Sequence, residues 1–201
     1  MADRRPEAVT LTGSFVSLEP IEDRHAVGLA AAAAENRETY GFTGVPDGVD
    51  GALRYVATAN ETPDWVAFAI VRLSDGQVVG TTRFLTIQYW AADSQFPESC
   101  EIGGTWLAAS AQRSMVNTEA KLLMLTHAFE TWGCVRVQLK TDARNERSRT
   151  AIERIGARFE GVLRNFQPAQ PRPGLRDTAM FAIVSEEWPA VKAGLQARLA
   201  M

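Results

Sequence analysis

Between Glu101 and Gly133 the chain reads EIGGTWLAASAQRSMVNTEAKLLMLTHAFETWG, a strand candidate that feeds a long amphipathic helix through a short polar turn. Strand, turn and helix in this order form a basic unit of α/β architectures, in which the helix buries one face on a sheet. Leu122, Leu125, Phe129 and Trp132 recur at about helical spacing and fix that face. Asn117 or Thr118 is placed to cap the helix, Glu119 suits its positive first turn, and Gly133 stands where a left-handed residue ends it. The turn aims unpaired backbone N–H groups and the positive end of the helix dipole at one point, an arrangement suited to a phosphate.

The downstream segment VRVQLKTDARNERSRTAIERIGARFEGVLRN adds two strands and a helix. Val135, Val137 and Leu139 alternate with polar residues over a strand from Val135 to Lys140; Asn145 begins a short helix closed by Gly156, and Ala157–Arg164 forms the next strand. Ser148, Ile152 and Ile155 fall on one inward stripe of that helix, which gives the Ser148 hydroxyl a buried partner. Upstream, a strand over Thr12–Glu19 follows a loose start over residues 1–10. Helices are expected at Asp23–Glu35 and at Val49–Ala59, the latter ending before Pro63. Trp65–Leu73 and Gln77–Phe84 read as a hairpin around Ser74-Asp75-Gly76, and Glu101–Leu107 as the next strand. A Pro-rich loop from Gln167 to Gly174, a strand from Asp177 to Val184 and a short helix after Trp188 complete the order. No repeat or linker divides the 201 residues, so one domain spanning 1–201 is expected.

Charge and composition narrow the function. Lys+Arg 21 against Asp+Glu 24, with pI near 5.5, leaves no electrostatic footprint for nucleic acid or an anionic membrane. The two cysteines, Cys100 and Cys134, cannot form the disulfide framework of a secreted domain, and Cys134 reads as a small buried hydrophobe. His25 and His127 are far apart and lack ligand spacing, so no metal site is expected. A polar amino terminus without an apolar run points to a cytoplasmic protein.

With these segments together, the sequence resembles the GNAT superfamily of acyl-CoA-dependent N-acetyltransferases, most closely its RimJ/RimL-like branch, over roughly Leu11 to Trp188. The resemblance rests on EIGGTWLA, AQRSMVNTEAK, NERSRTAIERIGARFEG and LRDTAMFAI. It implies a mixed α/β single-domain fold: a central, mostly antiparallel twisted sheet flanked by helices, with the cofactor cleft between two splayed parallel strands. It also implies acetyl-CoA as the cofactor and direct transfer of acetyl to an amine without a metal.

In that family the loop and helix start bind the coenzyme A pyrophosphate through backbone amides, in the pattern Gln or Arg, two variable residues, Gly, one variable residue, then Gly or Ala. Gln112, Arg113, Ser114, Met115, Val116 and Asn117 read across that pattern here, with Leu107 ending the preceding strand and Thr118 following. Met115 and Asn117 stand where small residues are usual, and Met115 forgoes the close approach and free dihedrals of glycine. A Met115 with ordinary dihedrals that points away leaves the amides able to bind phosphate; one that crowds the approach alters cofactor affinity. By resemblance, Asn145 hydrogen-bonds the pantetheine arm and Ser148 lies near the thioester sulfur, while Asn145 is also a natural N-cap. Glu101 matches the family's carboxylate for removing the ammonium proton, often through water; alternatively it is a solvated edge charge or an arginine partner. Arg113, Arg144, Arg147 and Arg149 place cations near both helix starts.

The acceptor side is carried by Tyr40, Phe42, Tyr89, Trp90 and Phe96 in irregular connections, where the family varies its pocket; the same aromatics could cover the core or form a homodimer patch. Acceptors implied by the resemblance are protein amino-terminal amines and small-molecule amines. A module that binds acyl-CoA without turnover, with a regulatory role, is the alternative that Met115 and Asn117 leave open.

Overall fold

Ser74, Asp75 and Gly76 form the tight turn expected of them. Asp75 accepts from the Arg72 guanidinium, and Gly76 takes the left-handed conformation (φ 70°). The two strands it joins sit inside an open eight-stranded sheet in a computed structural model that describes residues 6–200. In chain order the elements are β1 (Leu11–Thr12), β2 (Val16–Pro20), α1 (Ala26–Ala34), α2 (Gly48–Glu61), β3 (Val66–Arg72), β4 (Gln77–Gln88), β5 (Ser99–Leu107), α3 (Met115–Thr126), β6 (Arg136–Asp142), α4 (Glu146–Arg154), β7 (Arg158–Pro168), β8 (Leu175–Val184) and α5 (Trp188–Leu199). The spatial order is β1-β2-β3-β4-β5-β6-β8-β7. Every neighbouring pair is antiparallel except β5 and β6, as expected for the mixed α/β fold.

Two details of β5 create the cleft. Its parallel ladder with β6 registers only Ser99 with Arg136, Cys100 with Val137 and Glu101 with Gln138, after which the strands diverge. Against β4, Thr81 pairs with Trp106 and Arg83 with Gly103, so Gly104 and Thr105 together oppose the single residue Thr82. That is a β-bulge, and Gly104 supplies its positive φ of 57°. Alternation along β4 puts Phe84 in the apolar layer beneath α3, into which the helix buries Met124, and Phe84 also meets Trp132 at 4.5 Å between ring centroids. Tyr55 of α2 reaches Thr81 on the opposite face at 2.9 Å.

The structure corrects several boundaries. The strand expected over Thr12–Glu19 is two strands that turn back at Gly13–Phe15. Glu119 causes this: its carboxylate is buried and accepts from the amides of Ser14 (2.7 Å), Phe15 (2.6 Å) and Val16 (2.8 Å). It tethers a distant turn rather than resting in the first turn of α3 as a dipole partner. The cap of α3 is Ser114, whose Oγ accepts from the Val116 amide, not Asn117 or Thr118. The helix expected from Asp23 begins with a separate short turn at Asp23–His25, and β4 runs on to Gln88. The loose start expected over residues 1–10 lies outside the described residues for 1–5, and residues 6–10 form no regular element. Gly133 does end the α3 segment with φ 74°, after a widened turn at His127–Thr131.

Glu119→Ala removes the shared acceptor of three amides and should cost about 2–4 kcal/mol in urea unfolding, with Glu119→Gln in between. A change below about 0.5 kcal/mol would show that the turn forms without the tether.

Candidate active site

The divergence of β5 and β6 opens a cleft of about 1050 Å³. At one end lie the close of β5 and the starts of α3 and α4. Gln112 is fixed there: its Nε2 donates to the Leu107 carbonyl (2.9 Å) and to Thr39 (3.2 Å), and its Oε1 accepts from Arg147 (2.5 Å). The Tyr40 hydroxyl donates to the same Leu107 carbonyl at 2.9 Å, and burial pushes its pKa up. Tyr40 thus braces the end of β5, with its ring edge-on to Trp106. Arg113, not residue 115, takes the left-handed conformation (φ 59°) that the turn requires, while Met115 and Asn117 are already inside the helix. A glycine at 115 is therefore unnecessary for the backbone path. Asn117 faces the cleft, where the family pattern has a small residue; Met115, Arg113, Ser114, Val116 and Thr118 stand outside its lining. The first-turn amides of α3 beyond the one taken by Ser114 have no partner within the helix, so both replacements leave an amide-rich helix start of the kind that suits an anion.

Across the cleft, Asn145 caps α4 by accepting the Ser148 amide through Oδ1 (3.1 Å), and its amide nitrogen is left for another partner. Ser148 is half-buried and lines the cleft beside Asn145 and Arg147. Arg144 is committed to the buried Asp142 at 2.8 Å, an ion pair that holds the Asp142 carboxyl below the usual carboxylate range. Arg149 donates to the Ala143 carbonyl and leans on Phe159, which leaves Arg147 as the cation that lines this end.

At the opposite end, Glu101 is 2 % exposed, and the Lys140 ammonium lies 2.8 Å from its Oε2. Burial raises its pKa, opposed in part by Lys140 and by the Thr86 hydroxyl. The sequence reading missed Lys140, although its parity was available: Gln138 and Lys140 alternate with buried Leu139 and share the face of Glu101. Phe42 lines the cleft, as do Trp65, Arg83 and Arg176, which were also missed. Tyr89 and Trp90 lie outside its lining, and Trp90 is 61 % exposed; the extension of β4 to Gln88 carries both away. Phe96 is exposed in the same connection.

A further buried cation underlies the bulge. Lys121 Nζ donates to Thr105 (2.6 Å) and Thr82 (3.2 Å), whose hydroxyls also bond each other at 2.8 Å. Burial lowers its pKa to about 7. An amine with a depressed folded pKa binds fewer protons folded than unfolded, so its share of stability rises with pH between about 7 and 10.5. Lys121→Met should therefore be more stable than the parent by on the order of 2–4 kcal/mol near pH 6, with the advantage shrinking toward pH 10. A difference that stays flat across urea titrations at both pH values would contradict a desolvated Lys121.

Among the described residues no group of three His, Cys, Asp or Glu side chains could hold a metal, and no helix is long and apolar enough to cross a membrane. Cys100 and Cys134 are both buried and unpaired as thiols.

A mixed sheet split at its one parallel pair, with a bulged strand, a helix amino terminus and a capped Asn at the split, defines an acyl-coenzyme-binding transferase architecture. The acetyltransferase (GNAT) domain model matches residues 16–158, and the chain belongs to that family. A GCN5-related N-acetyltransferase from Brucella melitensis is 31 % identical and superposes with a TM-score of 0.83, covering 96 % of this chain and 86 % of that one. RimJ of Mycobacterium smegmatis in complex with CoA-disulfide is 22 % identical with a TM-score of 0.78, covering 95 % of this chain and 95 % of that one. A ribosomal-protein-S5-alanine acetyltransferase from Vibrio fischeri is 15 % identical with a TM-score of 0.68, covering 90 % of this chain and 98 % of that one. These last two share the fold alone at such identities. No curated protein matches the sequence. The chain is an N-acetyltransferase of the GNAT type, and acetyl-CoA is its acyl donor. The residues fit that donor: the edge of β5 beyond Glu101 lacks a strand partner toward β6, and the Asn145 amide and Arg147 face the space between.

Proposed function

We propose that this chain transfers acetyl directly to the amine of a small molecule or a protein amino terminus, with Glu101 as the base and Ser148 at the leaving sulfur. Acetyl-CoA supplies the acyl group as a thioester, whose C–S bond breaks as the C–N bond to the acceptor forms. The observation that carries the reading is the pairing of a buried carboxylate with the split between β5 and β6. Glu101 occupies the last rung of that ladder, at the point from which the strands separate. Its raised pKa makes it a stronger base than an exposed carboxylate, and Lys140 keeps enough ionised form to accept the ammonium proton. Ser148, on the first turn of α4, donates a hydrogen bond to the departing sulfur. Gln112, Arg147, Asn117 and the α3 amides hold the nucleotide end, and Asn145 the pantetheine arm.

The matched sequence segments favour the RimJ/RimL-like branch and a cytoplasmic setting. A homodimer belongs to the same proposal, supported by exposed Phe159, Val162, Leu163 and Phe166 along the edge strand β7. Asn117, projecting where the family has Gly or Ala, favours a second reading in which the coenzyme binds without turnover.

Below the raised pKa of Glu101 the carboxylate holds a proton and cannot accept another, so activity should fall as pH falls through it. Glu101→Gln should lower kcat/KM by about 10²-fold or more near neutral pH and flatten that acid limb, with coenzyme A affinity retained by titration calorimetry. An unchanged limb would exclude Glu101 as the essential base. Ser148→Ala should lower kcat by about 10²-fold with the limb intact; unchanged turnover would reduce Ser148 to a packing residue of α4.

A further inference from the structure

Two cations of this end of the cleft, Arg83 and Arg176, have no part in the reaction above. In-register pairing sets Arg83 opposite Gly103, Glu101 opposite Leu85 and Gln138, and Lys140 opposite Met180. Strand alternation then puts Arg83, Glu101, Lys140 and Arg176 on one face of the sheet, and all four line the cleft. Only one of them is a carboxylate, and its close partner is Lys140 at 2.8 Å.

Arg83 is built in rather than draped over the surface. Its guanidinium lies 3.4 Å from the centroid of the Trp65 ring, and a Cβ at Gly104 would stand 2.6 Å from its Cζ, so a side chain there would push Arg83 from this position. Its Nε is buried with no hydrogen-bond partner among the described residues. Arg176 is oriented by donation from Nε to the Thr178 hydroxyl at 3.2 Å. Neither guanidinium has a carboxylate within salt-bridge distance among the described residues: the Tyr55 hydroxyl is the nearest group that favours the Arg83 charge, while Glu101 and Asp64 act on Arg83, and Asp142 and Glu101 on Arg176, only at longer range. Burial disfavours both charges, yet arginine stays protonated, so the cleft holds desolvated positive charge awaiting an anion.

We propose that the acceptor is a small amine that also carries a carboxylate, an amino acid, and that Arg83 and Arg176 hold that carboxylate while its amine faces Glu101. This rests on the transfer reading and adds the acceptor's class to it. A planar guanidinium fixed by an indole presents a fork that matches a carboxylate. The coenzyme phosphates are not the anion these arginines serve. Their cradle lies at Leu107, Gln112 and Arg147, about 20 Å along β5 from Glu101, whereas Arg83 is in register with Gly103. The surplus positive charge also disfavours polycationic acceptors and lowers the pKa of an amine beside it, which eases its deprotonation.

The test uses the full chain loaded with coenzyme A and the L-amino acids against their carboxamides, which keep the amine and lose the charge. Calorimetry should show at least one free acid binding about 10-fold or more tighter than its carboxamide, and transfer from acetyl-CoA should show the same preference in kcat/KM. Arg83→Gln should collapse the acid-to-carboxamide ratio toward one without raising the KM for acetyl-CoA, and Arg83→Lys should restore only part of it. Arg176→Gln serves the same purpose if the Arg83 variants fail to fold. Equal binding of every acid and its carboxamide would overturn the proposal, as would an Arg83→Gln effect confined to acetyl-CoA. Preferential binding of an acid with no transfer to any amine would sustain this carboxylate site while sinking the transfer reading.

Discussion

Parallel pairing between β5 and β6 ends after Glu101 meets Gln138, and the rest of the cleft depends on that early stop. A strand that kept its partner would spend its edge N–H and C=O groups on a ladder. Because β5 bulges at Gly104 and Thr105, its later residues make no ladder with β6, and side chains take part of that load: Thr81 donates to the Gly104 carbonyl, and Gln112 and Tyr40 to that of Leu107. The same bulge brings Thr105 to Thr82 over Lys121 and leaves room at Gly104 for Arg83. One local distortion therefore shapes both the split between β5 and β6 and the wall of the cleft around Arg83.

The electrostatics of the cleft follow from burial more than from the chain's net charge of -3. Glu101 is desolvated enough to become a better base, and Lys140 prevents it from becoming a permanently neutral acid. Arg83, Arg176 and Lys121 are the unbalanced part. An uncompensated charge removed from water costs several kcal/mol, far more than an exposed ion pair returns. Such a cost is tolerable in a domain whose core is otherwise apolar and closely packed around Phe68, Phe84, Phe181 and Leu125. Binding an anion would offset it, which ties ligand recognition to stability.

Local pattern made much of this legible. The order of strands and helices, the Ser74-Asp75-Gly76 turn, Gly133 as a terminator and the Asn145 cap all come from short-range chemistry, and the structure has each of them. What escaped the sequence is long-range. Glu119 reads as a helix-start carboxylate because its partners, Ser14 to Val16, lie about a hundred positions earlier. Lys140, Arg83 and Arg176 look like ordinary surface charges until strand pairing sets them on one face with Glu101. Tyr40 lines the cleft, and its hydroxyl also secures Leu107, a bond the sequence does not reveal. Tyr89 and Trp90 suggested an acceptor contact, and a few extra residues of β4 move them out of the cleft. The glycine missing at Met115 mattered less than the motif implies, since Arg113 carries the left-handed turn.

The most direct measurement is a crystal structure of the chain with coenzyme A. The pantetheine arm should run between β5 and β6 past Gly104, with the pyrophosphate on the amides at the start of α3 and the sulfur within reach of Ser148 and on the side of Glu101. A coenzyme bound elsewhere, or one whose sulfur lies away from both residues, would contradict the assignment of this cleft as the place where acetyl is transferred.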